Sequence, residues 1–341
     1  MKHKRTTLSD IAQRLNVSMN TVNKALYGKK GVGEELRKKI QETAVEMNYQ
    51  ANRVAQSMAR NPLLIGVLGS REWKVVGKDF KQGIDSVLAQ LKDYNIYGKY
   101  YYISSHDNSK EIDQVIKKVA KDGVNALICN HVQLNANNIK MLESHNIPFA
   151  FLGTDMAIPQ RLTCVRSDGK MAGRLAAELF AGMLPEHSEV VIMTNSRDYQ
   201  DCEDKVQGMI HEAQKVKLNI VAVYEHQDCP ETASGLIDTL LAEHPGVTGI
   251  YSATANSPSM CRRIVELGLE DRFKIVATDL YGDIRKYLRQ GVIKVALHQD
   301  CVAESEKIVR LIYAHLCEGR DISTPVLIPP MIIMRNNLTN F

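Results

Sequence analysis

Near the N-terminus, the stretch SMNTVNKAL places amide, ammonium and thioether groups on one face of a predicted helix. Asn20 can form two hydrogen bonds with adenine, and Lys24 can reach the acceptor atoms of guanine. Met19 can contact the methyl group of thymine in the same groove. These residues therefore have the chemistry needed to read base edges, provided that other elements hold the helix in a major groove.

Other polar residues nearby are suited to phosphate contacts, which position a protein on a duplex without reading its sequence. Positive charge supports this interpretation, because residues 1–61 contain 12 Lys and Arg against 5 Asp and Glu, whereas the remaining 280 contain 31 against 34. A basic end predicts a partner rich in phosphate. A three-helix protein-interaction module would share the apolar pattern, but the charge favours DNA. The predicted contacts before residue 31 are Thr7, Ser18, Met19, Asn20, Thr21, Asn23, Lys24, Lys29 and Lys30.

Three short helices are predicted to position these side chains. Thr7 is a predicted N-cap, with Asp10 in the first turn and apolar residues at 8, 11, 12 and 15 on one face. Asn16 and Val17 interrupt the pattern, and Ser18 caps a second helix that turns Val22, Ala25 and Leu26 inward. A third helix is expected from about residue 34 to 47. Two helices joined by a tight turn and closed by a third predict a helix-turn-helix unit.

From residue 63 the pattern changes to apolar strands separated by amphipathic, helix-length stretches, which predicts a doubly wound α/β fold with parallel sheets. So many strands would make one oversized open sheet, so two lobes are expected. The predicted strands are 63–69, 97–104, 125–130, 148–153, 189–194, 219–225, 249–253, 274–279 and 293–299, and the stretches between them include 81–91, 110–121, 171–183, 205–215 and 257–267.

The composition of 44% apolar and 24% charged residues is that of a globular protein. No membrane-length apolar run and no signal peptide occur, so we expect a cytoplasmic protein. The seven scattered cysteines lack a C-x-x-C pair and are expected to be free thiols. No catalytic motif, metal-ligand spacing or dinucleotide fingerprint is present, so neither an enzyme nor a cofactor is expected.

The stretches TLSDIAQRLNVSMNTVNKALYGKKGV and MNYQANRVAQSMA resemble the headpiece of the lac/galactose repressor (LacI/GalR) family. Asn16 replaces the usual glycine of the turn, Asn23-Lys24 the usual Ser-Arg, and Gly33 the serine that caps the third helix. The resemblance implies operator DNA as a partner, and a hinge helix that forms when two subunits meet on the operator. It also implies DNA contacts at Asn52, Arg53, Ala55 and Met58, with Met58 as a wedge in the minor groove.

The rest of the chain resembles the type I periplasmic sugar-binding fold, through VRSDGKMAGRLAAELF and VATDL...IKVALHQD. This implies a headpiece at 1–50, a hinge helix and linker at 51–61, and a two-lobed effector-binding and dimerisation domain at 62–341. It further implies a six-stranded sheet in each lobe and chain crossings near 155–162, 279–284 and 297–303.

Ligands of such folds lie in the cleft at the carboxyl ends of the strands. By motif, Asp279 corresponds to a cleft aspartate, Gln299 to a cleft glutamine, and Lys205 to an effector-binding arginine. By position alone, Arg71, Trp73 and Asn256 are further candidates, as are Asn130 and His131 at a strand end. Asp168 is expected to cap the helix that begins near Met171.

Together these features predict a homodimeric transcriptional regulator, a repressor, whose operator affinity responds to a sugar-like effector. Two half-sites require two headpieces, and hence a dimer. A solute-binding receptor without a DNA role is the alternative interpretation.

Overall fold

The computed structural model describes residues 6–26, 30–47, 49, 61–71, 76–104 and 108–341. The chain divides into two units between Pro62 and Leu63. The first, here called the headpiece, comprises Met1–Pro62 together with Asp93–Asn95, and the second, here called the large unit, comprises Leu63–Lys92 and Ile96–Phe341. Each unit has its own apolar core.

The headpiece contains α1 (Leu8–Leu15), α2 (Met19–Leu26) and α3 (Glu34–Glu46). A capping box begins α1, since the Thr7 hydroxyl accepts from the amide of Asp10 at 3.3 Å and the Asp10 carboxylate accepts from the amide of Thr7 at 2.7 Å. Asn16 ends α1 with a φ of 52°, a left-handed conformation that Asn adopts more readily than most residues. Asn therefore serves in this tight turn where glycine is usual.

The core of the headpiece consists of the apolar residues that the sequence pattern turns inward. Ile11, Val22, Ala25 and Ile40 are fully buried, and the buried members of the cluster are Ile11, Ala12, Val22, Ala25, Ile40 and Ala44. In addition, the Arg37 guanidinium on α3 donates to the carbonyl of Ala25 at 3.3 Å. This bond satisfies one of the free carbonyls at the end of α2.

The large unit contains two six-stranded sheets, as predicted for its two lobes. The strands of the first sheet are β1 (Leu63–Ser70), β2 (Ile96–Ile103), β3 (Ala126–Asn130), β4 (Phe149–Leu152), β5 (Cys164–Ser167) and β11 (Val326–Ile328). The strands of the second are β6 (Glu189–Thr194), β7 (Asn219–Glu225), β8 (Gly249–Ser252), β9 (Lys274–Thr278), β10 (Ile293–His298) and β12 (Met331–Ile333). Their orders are β11-β5-β4-β3-β1-β2 and β12-β10-β9-β8-β6-β7. The pairings are parallel except for β10 with β12.

Helices cover the sheets and bury the apolar strand residues on both faces. They are α4 (Val76–Leu91), α5 (Ser109–Lys121), α6 (Ala136–Ser144), α7 (Gly169–Met183), α8 (Gln200–Lys215), α9 (Pro230–Glu243), α10 (Ser257–Glu266), α11 (Ile284–Gln290) and α12 (Cys301–Glu318), with short 3₁₀ turns at Lys92–Tyr94 and Leu338–Asn340. This is the predicted doubly wound α/β architecture.

The chain crosses between the two sheets at points that differ from two of the three predicted. Residues 155–162 join β4 to β5 within the first sheet, and residues 279–284 follow β9 within the second. The crossings follow β5, β10 and β11, so that the prediction near 297–303 is confirmed and the other two are wrong. The error arises because β5 and β11 have four and three residues, too few to give a clear periodicity.

Glycines bring two pairs of helices into close contact. An added Cβ at Gly173 of α7 would lie 2.1 Å from the carbonyl oxygen of Lys205, and one at Gly208 of α8 would lie 2.2 Å from that of Lys170. Similarly, a Cβ at Gly83 of α4 would lie 2.4 Å from the carbonyl oxygen of Val302 on α12. The backbones that carry Lys205 and the start of α12 are therefore held firmly against their neighbours.

Candidate functional site

The first candidate site is the exposed N-terminal end of α2 in the headpiece. Met19 is 57% exposed and Asn20 is also exposed, while Asn23 and Lys24 are half-buried. The Ser18 hydroxyl accepts from the amide of Thr21 at 3.0 Å, which caps the helix as predicted. The side chains of Met19 and Asn20 are thus exposed to solvent at a capped helix end, an arrangement suited to insertion into a groove.

Three of the predicted DNA contacts also have structural roles. The Thr7 hydroxyl belongs to the capping box of α1, and the hydroxyls of Ser18 and Thr21 lie 2.8 Å apart. The predicted contacts Lys29, Asn52, Arg53, Ala55 and Met58 lie outside the described residues, as does Trp73.

The second candidate site is formed by the carboxyl ends of the strands in the large unit. Among the described residues, several buried polar atoms at these ends have no hydrogen-bond partner. They include Asn130 Oδ1 at the end of β3, Ser167 Oγ at the end of β5, Thr194 Oγ1 at the end of β6, the Tyr251 hydroxyl on β8 and His298 Nδ1 at the end of β10. Buried polar groups are rarely left unsatisfied, so this edge has the properties of a ligand site.

Asp279 and Gln299 lie together at this edge, directly after β9 and β10. The Gln299 amide Nε2 is 3.1 Å from each carboxylate oxygen of Asp279, and the Gln299 backbone amide donates to Oδ1 at 3.3 Å. Asp279 has a φ of 68°, a strained conformation for a residue with a side chain, and such strain clusters at functional sites. Burial raises the pKa of Asp279, although Lys205 and Gln299 oppose this shift.

Lys205 lies in the second turn of α8 and is 2% exposed. Its ammonium group is paired with Asp201, one turn earlier on the same helix. Burial lowers the pKa of Lys205, but the interactions with Asp201, Cys202 and Tyr251 together raise it by more, so that the group stays charged. Its charge also acts on Asp279. The structure therefore brings together Lys205, Asp279 and Gln299, three of the predicted effector contacts.

Asn256 belongs to a neighbouring polar group at the ends of β7 and β8. Its side chain donates to Asp228 Oδ1 at 2.6 Å. Beside it, His226 Nε2 lies 3.0 Å from the Thr254 hydroxyl, and its buried Nδ1 has no partner among the described residues. Burial lowers the pKa of His226, so its ring is neutral near pH 7.

The first sheet carries the remaining sequence candidates. Arg71 follows β1 and is exposed, near Glu111. Asn130 ends β3, and His131 follows it with a φ of 51° and an edge-on contact with Phe80. Asp168 accepts from the amide of Met171 at 2.9 Å, which confirms the prediction that it caps the helix.

Sequence reasoning missed Asp201, Tyr251 and Glu304 as parts of this edge. Asp201 precedes Lys205 by four residues, a spacing that pairs opposite charges on a helix. Glu304 lies on the apolar face of α12, between Cys301 and Ile308, and is 2% exposed. A charged residue within an apolar stripe was the available signal, but α12 itself was not predicted.

Comparison with known proteins identifies two domains in the chain. Residues 7–52 match the lacI family of bacterial regulatory proteins, and residues 73–321 match the periplasmic binding protein domain. The chain belongs to the LacI family. The two matched segments lie in the two structural units, so this LacI-family protein joins a regulatory headpiece to a binding-protein domain.

The curated proteins that are similar to this chain align with most of its length. It is 25% identical over 90% of its length to the "Probable HTH-type transcriptional repressor ExuR" of Bacillus subtilis, covering 91% of that protein. It is also 25% identical over 73% of its length to the ribose operon repressor of Halalkalibacterium halodurans, covering 72% of that protein.

Solved structures share the fold of the large unit. The glucose-galactose binding protein GanP of Geobacillus stearothermophilus aligns with a TM-score of 0.71 at 20% identity, over 82% of this chain and 99% of that one. A periplasmic ribose ABC transporter protein of Conexibacter woesei aligns with a TM-score of 0.73 at 16% identity, over 83% and 95%. Within the described part of this chain, no helix combines the length and apolar character that a membrane span requires.

Proposed function

We propose that this protein is a transcriptional repressor that binds a near-palindromic operator and changes its DNA affinity when a sugar or sugar derivative occupies the large unit. The observation that carries the proposal is the pairing of an exposed α2 end in the headpiece with unsatisfied polar atoms at the strand ends of the large unit. The repressor names of its relatives and the sugar-binding names of its structural neighbours support it.

In this proposal residues 1–50 read the operator, residues 51–61 form a hinge, and residues 62–341 bind the effector and form a homodimer. Asn20, Lys24 and Met19 read base edges, and Ser18, Thr21, Lys29 and Lys30 hold the phosphate backbone. Asn23 lies at the base-reading end, and Thr7 is a further DNA contact. Asn52, Arg53, Ala55 and Met58 act at the minor groove. The protein works in the cytoplasm as a binding protein and catalyses no reaction.

The effector contacts proposed in the large unit are Asp279, Gln299 and Lys205, with Arg71, Trp73 and Asn256 around them. Asp279 accepts hydrogen bonds from sugar hydroxyls, and Gln299 holds its carboxylate in position. An effector that binds one arrangement of the protein more tightly shifts operator affinity, typically by about 1–3 kcal/mol.

The test is a binding assay of the full chain against promoter fragments of its own genome at low ionic strength, with and without sugars. We expect one or a few fragments to bind, with affinity changed by one class of sugar. Asp279→Ala should remove the response to the sugar while DNA binding persists. If the protein binds none of the DNA fragments while sugars still bind to it, the protein is a solute receptor and the proposal fails.

A further inference from the structure

A pocket of about 540 Å³, here called the interlobe pocket, lies beside the strand ends that carry Asp279 and Gln299. One wall is formed by the starts of α4 and α12, which pack together beside the first sheet. The other wall is formed by the connection from β9 to α11 and by the start of β12, which belong to the second sheet. Neither Asp279 nor Gln299 lines this pocket, so it is distinct from the proposed effector contacts. Its volume is in the range of small-molecule sites.

Charged side chains of both signs line the interlobe pocket. They are Lys78, Asp79, Arg285 and Asp300. None of them forms an ion pair with another residue in the described part of the chain. Opposite charges that share a pocket attract each other, so the fold keeps these groups apart across the cavity. A ligand that carries both charges can pair with each of them.

Arg285 is the cation best suited to hold an anionic group. Its half-buried guanidinium on α11 donates from Nη2 to the carbonyl oxygen of Phe341 at 2.9 Å, which is its one hydrogen-bond partner among the described residues. Because a guanidinium has five N–H donors, most of them remain for a ligand. Arginine binds a carboxylate through two parallel hydrogen bonds, so this part of the pocket fits a carboxylate.

Asp79 lines the opposite wall of the pocket, in the first turn of α4. It is half-buried, and no described residue donates a hydrogen bond to its carboxylate. Asp300, in contrast, already caps α12 by accepting from the amide of Ala303 at 2.8 Å. Since polar groups withdrawn from water normally have partners, Asp79 is the acid that fits a ligand ammonium group.

An unpartnered atom and an apolar surface complete the interlobe pocket. His298 lines it, and the buried Nδ1 of this residue has no hydrogen-bond partner in the described part of the chain. The His298 ring lies edge-on to that of Phe341, with ring centroids 6.1 Å apart. Apolar surface comes from Leu280, Val302 and Met331. The pocket therefore combines polar groups that need partners with a surface that favours an apolar side chain.

We propose that the interlobe pocket is a second ligand site, and that it binds a zwitterionic amino acid with an apolar side chain. The ligand carboxylate pairs with Arg285 and the ligand ammonium group pairs with Asp79. The apolar side chain covers Leu280, Val302 and Met331. A neutral sugar fits this pocket poorly, because it offers no charge to either partner. Binding at this pocket goes beyond the proposed function and does not depend on it.

A ligand in this pocket contacts elements of both lobes, so it favours one arrangement of the lobes over others. This coupling to DNA rests on the proposed function, whereas binding at the pocket does not. A promoter fragment that the protein binds provides the readout. Adding the amino acid should change the affinity for that fragment by about fivefold or more. An unchanged affinity overturns the coupling and leaves the site itself to the experiments below.

Calorimetry on the full chain tests the site with leucine, isoleucine, valine, methionine and phenylalanine. We expect at least one of them to bind. The matching acid without the amine, and the matching amine without the carboxylate, should each bind at least about tenfold more weakly. If either compound binds as tightly as the amino acid, the pocket does not require both charges and the inference is overturned. Binding by none of the amino acids also overturns it, and neither outcome affects the promoter and sugar assay of the proposed function.

Arg285→Met and Arg289→Met form a matched pair on α11, because Arg289 is exposed and does not line the pocket. Arg285→Met should weaken binding of the amino acid by at least about tenfold, and Arg289→Met should retain it. Asp279→Ala, in the effector site, should also retain it. Unchanged binding in Arg285→Met overturns the inference, and loss of binding in Asp279→Ala alone places the amino acid in the effector site and overturns it as well. The comparison of the amino acid with its acid and amine requires no variant to fold.

Discussion

The two candidate sites differ in how much of their chemistry is buried before a ligand binds. In the headpiece, Met19 is 57% exposed at the end of α2, whereas in the large unit Lys205 is 2% exposed and Asp279 6% exposed. Side chains that stay in water until DNA binds contribute little to folding, whereas side chains that are already buried affect both stability and ligand binding. A substitution in the headpiece should therefore change DNA binding with little effect on stability. A substitution among the buried groups of the large unit should change both stability and effector binding.

The largest effect is expected from Lys205→Met, which leaves Asp201, Asp279 and Glu304 without their buried cation. Breaking a buried pair costs about 3–5 kcal/mol, and since Asp201 is 34% exposed, we expect about 2–3 kcal/mol here after solvent screening. Urea unfolding measures it. As the control, Arg263→Met removes the exposed pair with Asp238 and should cost under about 1 kcal/mol. Equal losses for the two variants would contradict the contrast between buried and exposed groups.

Gly173→Ala tests the helix contact that holds Lys205 in place. Its Cβ would lie 2.1 Å from the Lys205 carbonyl oxygen, and we expect a loss of about 2 kcal/mol together with weaker effector binding. On the same helix, an added Cβ at Gly182 meets nothing within 4 Å. Gly182→Ala should therefore stabilise the protein by about 0.5–1 kcal/mol. Thermal unfolding compares the two, and a neutral Gly173→Ala would show that α7 and α8 can separate without cost.

Asn20→Ala tests the opposite behaviour in the headpiece. We expect it to reduce discrimination at one operator base pair by at least about 1 kcal/mol and to change stability by no more than about 0.5 kcal/mol. Competition binding with single-base operator variants measures the first quantity. Arg14→Ala, at the exposed pair with Glu46, should leave discrimination unchanged. A uniform loss on all sequences would identify Asn20 as a phosphate contact.

The smallest effect concerns pH and His226, which is buried in the large unit. Burial lowers its pKa below the usual 6.5, so the unfolded chain binds more protons and stability falls as pH decreases below about 6.5. His226→Gln should remove this part of the pH dependence. Urea unfolding at pH 7.5 and 5.5 measures it. If the variant and the unmodified protein lose equal stability between these pH values, His226 is not the titrating group.

Sequence patterns predicted the headpiece well because its helices, caps and turn depend on residues that are close together in the sequence. The apolar positions of α1, α2 and α3, the caps at Thr7 and Ser18, and the turn at Asn16 each depend on residues within one or two turns of helix. In the large unit, the alternation of strands and helices was also predicted. The four-residue β5 and three-residue β11 were not, and the predicted crossings failed with them.

The sequence by itself determined which parts of the chain form helices and which form alternating strands and helices. It also determined the basic charge of the first 61 residues and the strand ends at which Asp279 and Gln299 lie. Only the tertiary structure decided that Tyr251 and Glu304 lie at the same edge as the predicted Lys205, and that the fold withdraws these groups from water. The physical reason is that helix caps and apolar stripes arise from neighbours along the chain. Desolvation and charge balance instead depend on residues about a hundred positions apart, brought together by parallel strands whose carboxyl ends meet at one edge.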